Sequence, residues 1–388
     1  MALAHGTPCY AYDLARLRFQ LDKLRRSLPA SVEILYSLKA NPAVGLCRVI
    51  AEHGFGADVV SVGELSAAIA AGFAAERVFV SGPYKPPEML DRLRSMPEAL
   101  LSVDSESELG NLDGLENRLV LRLRPDFQPS AVMATGPRSR FGIPIQDLAS
   151  CRDLCRRVIG FHVFAGSQVL DPLAVVHHLR SSLELSLRAA DLLGLQPEVF
   201  NLGGGFGVPY GPGEPELDLG PVAEELERLA EQVAPARIVI ELGRYVVAQS
   251  GWYLTRVVAR QSHMGRRAVV VDGGVHQRAD LCGLGLRGKA APPLALQPAY
   301  GLAAPTDVLG CLCLPEDVLA EASLLPPLAP GDFLAFPNAG AYGLSASPVL
   351  FLSHPRPMEV AFDGTGMELL DTDLDESGLV TAKVRRLA

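Results

Sequence analysis

Several features are scarce in this 388-residue sequence, and each scarcity closes off a class of protein. The seven cysteines (Cys9, Cys47, Cys151, Cys155, Cys282, Cys311, Cys313) are an odd number with no C-x-x-C pair, which speaks for reduced thiols over a disulfide framework or structural zinc. No run approaches the ~18 uncharged apolar residues that a membrane-spanning helix needs. The N-terminal stretch meets Asp13 and Arg16 before any apolar core develops, so the reading is a cytoplasmic protein without a membrane partner. Positive charge is in the minority, with 35 Lys and Arg against 44 Asp and Glu and a formal net charge of -9. That balance argues against nucleic acid, which is gripped through clustered cations. Aromatics are few, at 6%, yet 48% hydrophobic and 20% charged residues make a globular enzyme rather than a disordered chain. The length suffices for two domains.

What is present is a repeating grammar. From residue 30 a short apolar run is followed by a segment of helical spacing, again and again. The strand-like runs are VEILYSL, ADVVS, RVFVS, ALLSV, RLVLRL, GFHVF, EVFNL and RIVIEL. Between them lie helix-like segments such as GLCRVIAEHG, QDLASCRDLCRR and LAVVHHLRSSLELSLRAADLLG, with a weak one at ESELGNL. Eight β-α units predict an α/β protein with a closed (β/α)8 TIM barrel over residues 26–250, an open doubly wound sheet being the alternative. After Tyr245 the runs WYLTRVV, RAVVVDG, DVLGCLCL, DFLAF and PMEVAF are separated by Gly and Pro turns, which predicts a mostly antiparallel β-domain over 251–388, with residues 1–25 joining it through PCYAYD. The Ala- and Pro-rich GLRGKAAPPLALQPAYGLAAPTD reads as a surface excursion. Cys311 and Cys313 would point the same way if they lie on a strand.

In such a barrel, chemistry sits at the C-terminal ends of the strands. Those ends carry Lys39, Asp58 with Glu64 following, Ser81 and Gly82, Arg122 and Arg124, His162 and Phe164, Gly203–Gly205, and Glu241 with Arg244. A lysine partly desolvated at a barrel mouth is expected to have a lowered amine pKa and can form an imine; the bland alternative is a side chain that snorkels to solvent. NLGGGFG offers consecutive glycine amides to a phosphate, or simply a tight turn, and Arg244 beside Gly243 together with Ser167 favours the phosphate. Glu241 either pairs with Arg122 or Arg124, or holds a ring nitrogen protonated so that the ring becomes an electron sink. His162 and Phe164, two apart, share a face on which a planar ring could lie. Together these residues specify pyridoxal 5'-phosphate.

An ordered set of motifs then resembles a family, the fold-type III pyridoxal phosphate decarboxylases that include diaminopimelate and ornithine decarboxylases. The set comprises YSLKANP, GADVVSVGEL, SRFGI, GFHVFAGSQ, NLGGGFG, ELGRY, CLPEDVL and GAYG. NLGGGFGVPY, GAYGLS and the CxPED pattern look most like the subgroup that decarboxylates glutamate tethered to a carrier protein, with siderophore-pathway enzymes as near relatives. The resemblance implies that Lys39 holds the cofactor and that Glu241 bonds its pyridine nitrogen. It implies that Ser167, Gly204, Gly205, Arg244 and Tyr342 bind the phosphate. It further implies a head-to-tail homodimer with shared sites, in which Cys313 of one subunit protonates Cα in the other's site and Asp317 pairs across the dimer with Arg140. Three departures stand out. Phe164 occupies the position of a stacking His, Leu314 that of an acid that reads a distal amine, and Cys311 that of a proline. Leu314 weakens the case for a dibasic substrate by about 1–3 kcal/mol of recognition.

The expected reaction is α-decarboxylation of an L-amino acid or amino-acid conjugate, free or carrier-bound. The alternatives are a free amino acid of the diaminopimelate type or racemisation, against which Glu241 speaks, and a non-catalytic homologue, against which the retained lysine and cysteine speak. Arg278 is expected either to meet a substrate carboxylate or a carrier's phosphate, or to be a solvated surface side chain.

Overall fold

The computed structural model describes residues 6–112, 114–149, 157–282, 291–297, 301–364 and 366–369. Strand β1 (Cys9–Asp13) leads into helix α1 (Leu14–Ser27). Eight strands then close a parallel barrel: β2 (Val32–Ser37), β3 (Gly56–Val59), β4 (Val78–Val80), β5 (Leu100–Val103), β6 (Leu119–Leu123), β8 (Val158–Val163), β10 (Val199–Gly204) and β11 (Arg237–Leu242). These are the eight apolar runs read from the sequence, and closure rules out the open sheet. The short strands β7 (Met133–Ala134) and β9 (Gly166–Ser167) pair with each other. Helices α2 (Val44–Glu52), α3 (Val62–Ala71), α4 (Pro87–Leu93), α5 (Glu106–Asn111), α6 (Pro172–Leu193) and α7 (Gly220–Val233) lie between the strands, and the one-turn α8 (Arg244–Val247) follows β11. Most of QDLASCRDLCRR, with Cys151 and Cys155, falls on residues outside those described.

Local chemistry sets the helix ends. Ser61, Ser105 and Asp171 accept from backbone amides at the N-termini of α3, α5 and α6, satisfying donors that have no partner within the helix. The 22-residue α6 adds Pro172 in its first turn and ends on Gly194 in the left-handed region, at φ 68°.

Period-two alternation divides the barrel into layers. Outward residues such as Ile34, Tyr36, Ile238, Ile240 and Leu242 pack in the main core. Inward, Leu35, Phe79, Leu100, Val120, Val199 and Val239 form a separate apolar cluster that plugs the barrel. Two residues further along each of these strands, on the same face, come Ser37, Ser81, Ser102, Arg122, Asn201 and Glu241, joined by Asp58 of β3 and His162 of β8. A polar layer thus sits directly over an apolar plug at the end of the barrel where sites form.

The second sheet runs in the order β16 (Val318–Leu325), β15 (Ala304–Leu309), β13 (Arg266–Val271), β12 (Gly251–His263), β1, β18 (Met358–Phe362), β19 (Met367–Leu369); β17 (Phe333–Phe336) pairs with β12 and with β14 (Leu294–Ala295). It is mixed: β1·β18 and β13·β15 are parallel, whereas the other pairings among the described residues are antiparallel. VLAEASLL, absent from the strand-like runs above, is strand β16, paired antiparallel with β15. Two expectations are corrected here. Leu294–Ala295, inside the presumed excursion, is a short strand of the sheet. Cys311 and Cys313 lie in a bend after β15, so no strand aligns their side chains.

The two parts meet tightly beside the barrel mouth. Asn41 Nδ2 donates to Gly340 O (3.0 Å), Gly340 N to Ala248 O (3.1 Å) and Tyr342 N to Ala40 O (2.8 Å). A Cβ on Gly340 would lie 1.8 Å from Val247 O, a backbone atom that cannot rotate away. Gly340→Ala is therefore expected to destabilise the protein by about 1–3 kcal/mol or more, read as a clear drop in melting temperature; an unchanged melting curve would refute this packing.

Candidate active site

A cavity of about 840 Å³ opens over the polar layer, lined by Ser37, Lys39, Phe164, Ser167, Gly205, Glu241, Gly243, Arg244, Asp280 and Tyr342, with Ala131–Thr135 and Phe141 on its apolar side. Lys39 stands in the single 3-10 turn Leu38–Ala40 that follows β2, with its Nζ 3.5 Å from Asp58 Oδ2 and 5.6 Å from the centroid of Phe164. Burial works to lower its pKa, but Asp58 and Glu241 more than offset that, so the amine is held above the ordinary lysine range. The expected lowered pKa is thus overturned: two carboxylates, not desolvation, decide its charge.

Asp58 is 1% exposed; Oδ1 accepts from Ser81 Oγ at 2.5 Å, while Oδ2 has no hydrogen-bond donor of its own. Burial, then the nearby Glu241, raise its pKa, against the opposing pull of Lys39. Glu241, 4% exposed, accepts from Asn201 Nδ2 at 2.7 Å and has His162 Nε2 at 3.3 Å. The ion pair with Arg122 or Arg124 is not formed: Arg122 bonds Asp104 (3.1 Å), whose other oxygen accepts from Gly142 N.

His162 and Phe164 separate by depth. His162 is 1% exposed, its Nδ1 lies 2.9 Å from Ser102 Oγ, and it is absent from the cavity lining; burial, followed by Arg122, drives its pKa far down and keeps it neutral. Phe164 lines the cavity. A planar ring in this cavity therefore meets Phe164, and His162 sits behind, against Glu241.

At another part of the wall, Arg244 donates through Nη1 to Tyr210 Oη (2.8 Å), its Cζ lies 4.8 Å from the Tyr342 ring centroid, and its buried Nε has no partner. Gly205 reaches the cavity at φ 78°, and a Cβ there would lie 2.0 Å from Gly166 O. Gly204 packs against Glu241 O of β11 rather than lining the cavity. An unpartnered guanidinium donor, Ser167 and bare glycine backbone on one wall fit a phosphate, and Lys39, Phe164 and Glu241 fit an aldehyde-bearing pyridine.

Four expected residues lie off this wall. Cys313 is exposed and Leu314 half-buried, on the bend after β15. Asp317, 4% exposed, accepts from Val275 N and Leu312 N, both at 2.7 Å, so its carboxylate shapes its own chain's cysteine loop, while the Arg140 guanidinium lies over Phe141. Arg278 is 1% exposed and grips Asp280 with two bonds (2.6 and 2.9 Å), which excludes the solvated-surface alternative; Asp280, not Arg278, reaches the cavity. Cys311 donates its backbone N–H to Gly273 O (3.0 Å), a bond a proline could not make, and burial pushes its thiol up to about 11.

Asn201, Asp104 and Asp280 were missed. Asn201 was findable, being two residues beyond Val199 on the inward face; Asp280 was not, since nothing in the sequence marks an i, i+2 ion pair as buried.

A lysine, a phosphate wall and a carboxylate facing one aromatic-lined cavity of a (β/α)8 barrel define a pyridoxal phosphate enzyme. The family "Pyridoxal-dependent decarboxylase, pyridoxal binding domain" matches residues 14–248, and this chain belongs to it. The chain is similar to the L-glutamyl-[BtrI acyl-carrier protein] decarboxylase of Niallia circulans, 33% identical over 387 residues covering 94% of this chain and 90% of that protein. It is also similar to the diaminopimelate decarboxylase of Actinosynnema pretiosum subsp. auranticum, 34% identical over 88% of this chain and 81% of that protein. The crystal structure of diaminopimelate decarboxylase from Helicobacter pylori superposes with a TM-score of 0.88 at 24% identity, covering 98% of both chains, and shares the fold. The protein is thus a pyridoxal phosphate-dependent amino-acid decarboxylase. No helix among the described residues is long and apolar enough to cross a membrane.

Glu64, which caps Val60 N at 2.9 Å, is pushed up to about 7 from 4.5, chiefly by burial, with Asp58 adding to the rise. A carboxyl raised on folding stabilises below pH 4.5, and that contribution is lost as pH rises through 7. The melting temperature of the wild type relative to Glu64→Gln is expected to fall across this window; a constant difference would contradict the assignment.

Proposed function

We propose that this chain decarboxylates an α-amino acid whose side chain ends in a conjugated acyl group, carrier-linked in the first instance, and that it works as a homodimer with two shared sites. The observation that carries the substrate class is the lining. Val132, Met133, Phe141 and Phe164 give an apolar side, and the carboxylates on the wall, Glu241 and Asp280, already have partners in Asn201 and Arg278. Asp280, the lining carboxylate not allotted to the cofactor, has its charge balanced by Arg278, so among the described residues no lining carboxylate is left as a counter-charge for a distal ammonium, in keeping with Leu314 where diamine enzymes carry an acid. The name of the Niallia circulans relative, which specifies a carrier-bound glutamyl group, supports the same reading. The diaminopimelate decarboxylases among the relatives favour a free amino acid as the second reading.

In this reading, residues 26–250 form the cofactor domain, and 1–25 with 251–388 form the β-domain. Bound pyridoxal phosphate supplies the electron sink that accepts the electrons left by departing carbon dioxide. Lys39 Nζ would hold the cofactor's aldehyde end, and Asp58, with Oδ2 3.5 Å from Nζ, is placed to hold a proton there. Glu241, fixed by Asn201, would face the ring nitrogen and favour its protonated form, with neutral His162 behind it not competing for charge. Phe164 offers the ring an apolar face and excludes water. Ser167, Gly205, Gly243, Arg244 and Tyr342 build the phosphate wall, with the free Nε of Arg244 as a donor, and Gly204 lies behind it against Glu241 O. Cys313, exposed and outside its own cavity, enters the second subunit's site and delivers the proton to Cα, its loop preset by Asp317.

Lys39→Ala, purified with pyridoxal phosphate, is expected to lack the visible band of the cofactor, while Cys313→Ala keeps the band and loses amine formation. Mixing the two restores turnover, because a mixed dimer regains one site holding both groups. Normal activity of either variant alone, or no recovery on mixing, would reject the assignment. Carbon dioxide release should be faster from a carrier-loaded glutamyl group than from any free amino acid; the reverse order would favour the second reading.

A further inference from the structure

Of the charged side chains on the cavity wall, Lys39, Glu241 and Arg244 are all allotted to the cofactor. Asp280 is left over. It is 5% exposed, and Arg278 occupies one lone pair on each oxygen: Nε donates to Oδ1 at 2.6 Å and Nη2 to Oδ2 at 2.9 Å. Such a bidentate grip leaves a second lone pair on each oxygen, so the group can still accept a hydrogen bond but cannot donate one. Arg278 is itself anchored, because Nη2 also reaches Pro337 O (3.2 Å) and Asn338 O (3.4 Å) on the segment leading to Tyr342. Neither member of the pair can swing away to make room for a different charge. Arg278 Nη1 is buried without a hydrogen-bond partner, but Arg278 is not among the residues lining the cavity, so Asp280 is the member of the pair that meets a ligand.

We propose that Asp280, held by Arg278, is a specificity-determining residue that refuses a free carboxylate at the far end of the substrate and accepts an N–H or O–H donor there instead. This rests on the decarboxylase reading above and deepens it. An enzyme acting on an acyl-conjugated amino acid must reject the unconjugated dicarboxylic acid, which has the same α-amino and α-carboxyl groups and differs only in bearing a free distal carboxylate. Conjugation replaces a distal acceptor-only carboxylate with a group that can donate. The discrimination is then made by hydrogen-bond matching: Asp280, its charge balanced by Arg278, offers lone pairs alone, so a desolvated carboxylate facing it finds no donor while an N–H or O–H does.

The test is a binding titration on the holoenzyme, following the cofactor's visible band, with glutamate and with its γ-methylamide as the paired probes. Wild type should bind the amide at least about tenfold more tightly than the acid. In Asp280→Asn, with the cofactor band and melting temperature retained, the preference should shrink to less than about threefold, mainly through tighter binding of the acid. If Asp280→Asn does not fold, Arg278→Gln with Asp280→Asn in one chain removes the unpaired guanidinium and serves the same purpose. Equal binding of acid and amide by wild type, or an undiminished preference in the folded variant, would overturn the proposal. Those results strike this inference alone, whereas a wild type that binds cofactor but releases no carbon dioxide from any amino acid or conjugate strikes the underlying reading.

Discussion

The organisation of this site depends on stacking a charged layer on an apolar plug within one barrel. Because a strand presents every second residue inward, Val239 and Glu241, Leu35 and Ser37, Val199 and Asn201 come as vertical pairs, with the lower member closing the barrel and the upper one facing the cavity. The plug keeps water from reaching the carboxylates from below. They are therefore compensated by one another's partners: Asp58 by Lys39 and Ser81, Glu241 by Asn201 with His162 behind. Burial and Glu241 disfavour charge on Asp58, and Lys39 and Ser81 pull the other way.

Much of this was legible from the residues. All eight barrel strands announce themselves as apolar runs capped by a polar residue, and Lys39, Glu241 and Phe164 fall on the cavity where strand ends put them. Illegible parts share a cause, which is depth. Spacing places His162 and Phe164 on one face but cannot say that one is beneath the surface and the other on it. The same blindness made Arg278 a surface or substrate side chain, when it is the largest fully buried side chain of the described residues and serves Asp280. The bonds that Asp317 accepts from Val275 N and Leu312 N are likewise made by the fold and carry no mark in the sequence. Charge coupling is equally hidden. Lys39 reads as a desolvated amine until Asp58, 19 residues on, proves to lie across from it.

The second sheet contributes by bracing. Tyr342 takes its place because its own N–H is tied to Ala40 O, one residue past Lys39, while Arg278 ties the segment before it. The phosphate wall and the lysine are thus referenced to each other through backbone contacts across the seam at Gly340. A small displacement there would shift two ends of the same ligand at once. The cysteine loop is braced in the same manner, by Asp317 and by the Cys311 amide.

The elevated basicity of Lys39 has a consequence for the protein before it acquires its cofactor. An ammonium is inert toward reactive carbonyls, so the lysine of the cavity is shielded by its own proton. Only a visitor retained by other handholds lingers until that proton transfers, which makes admission to covalent attachment a matter of residence time as much as of reactivity.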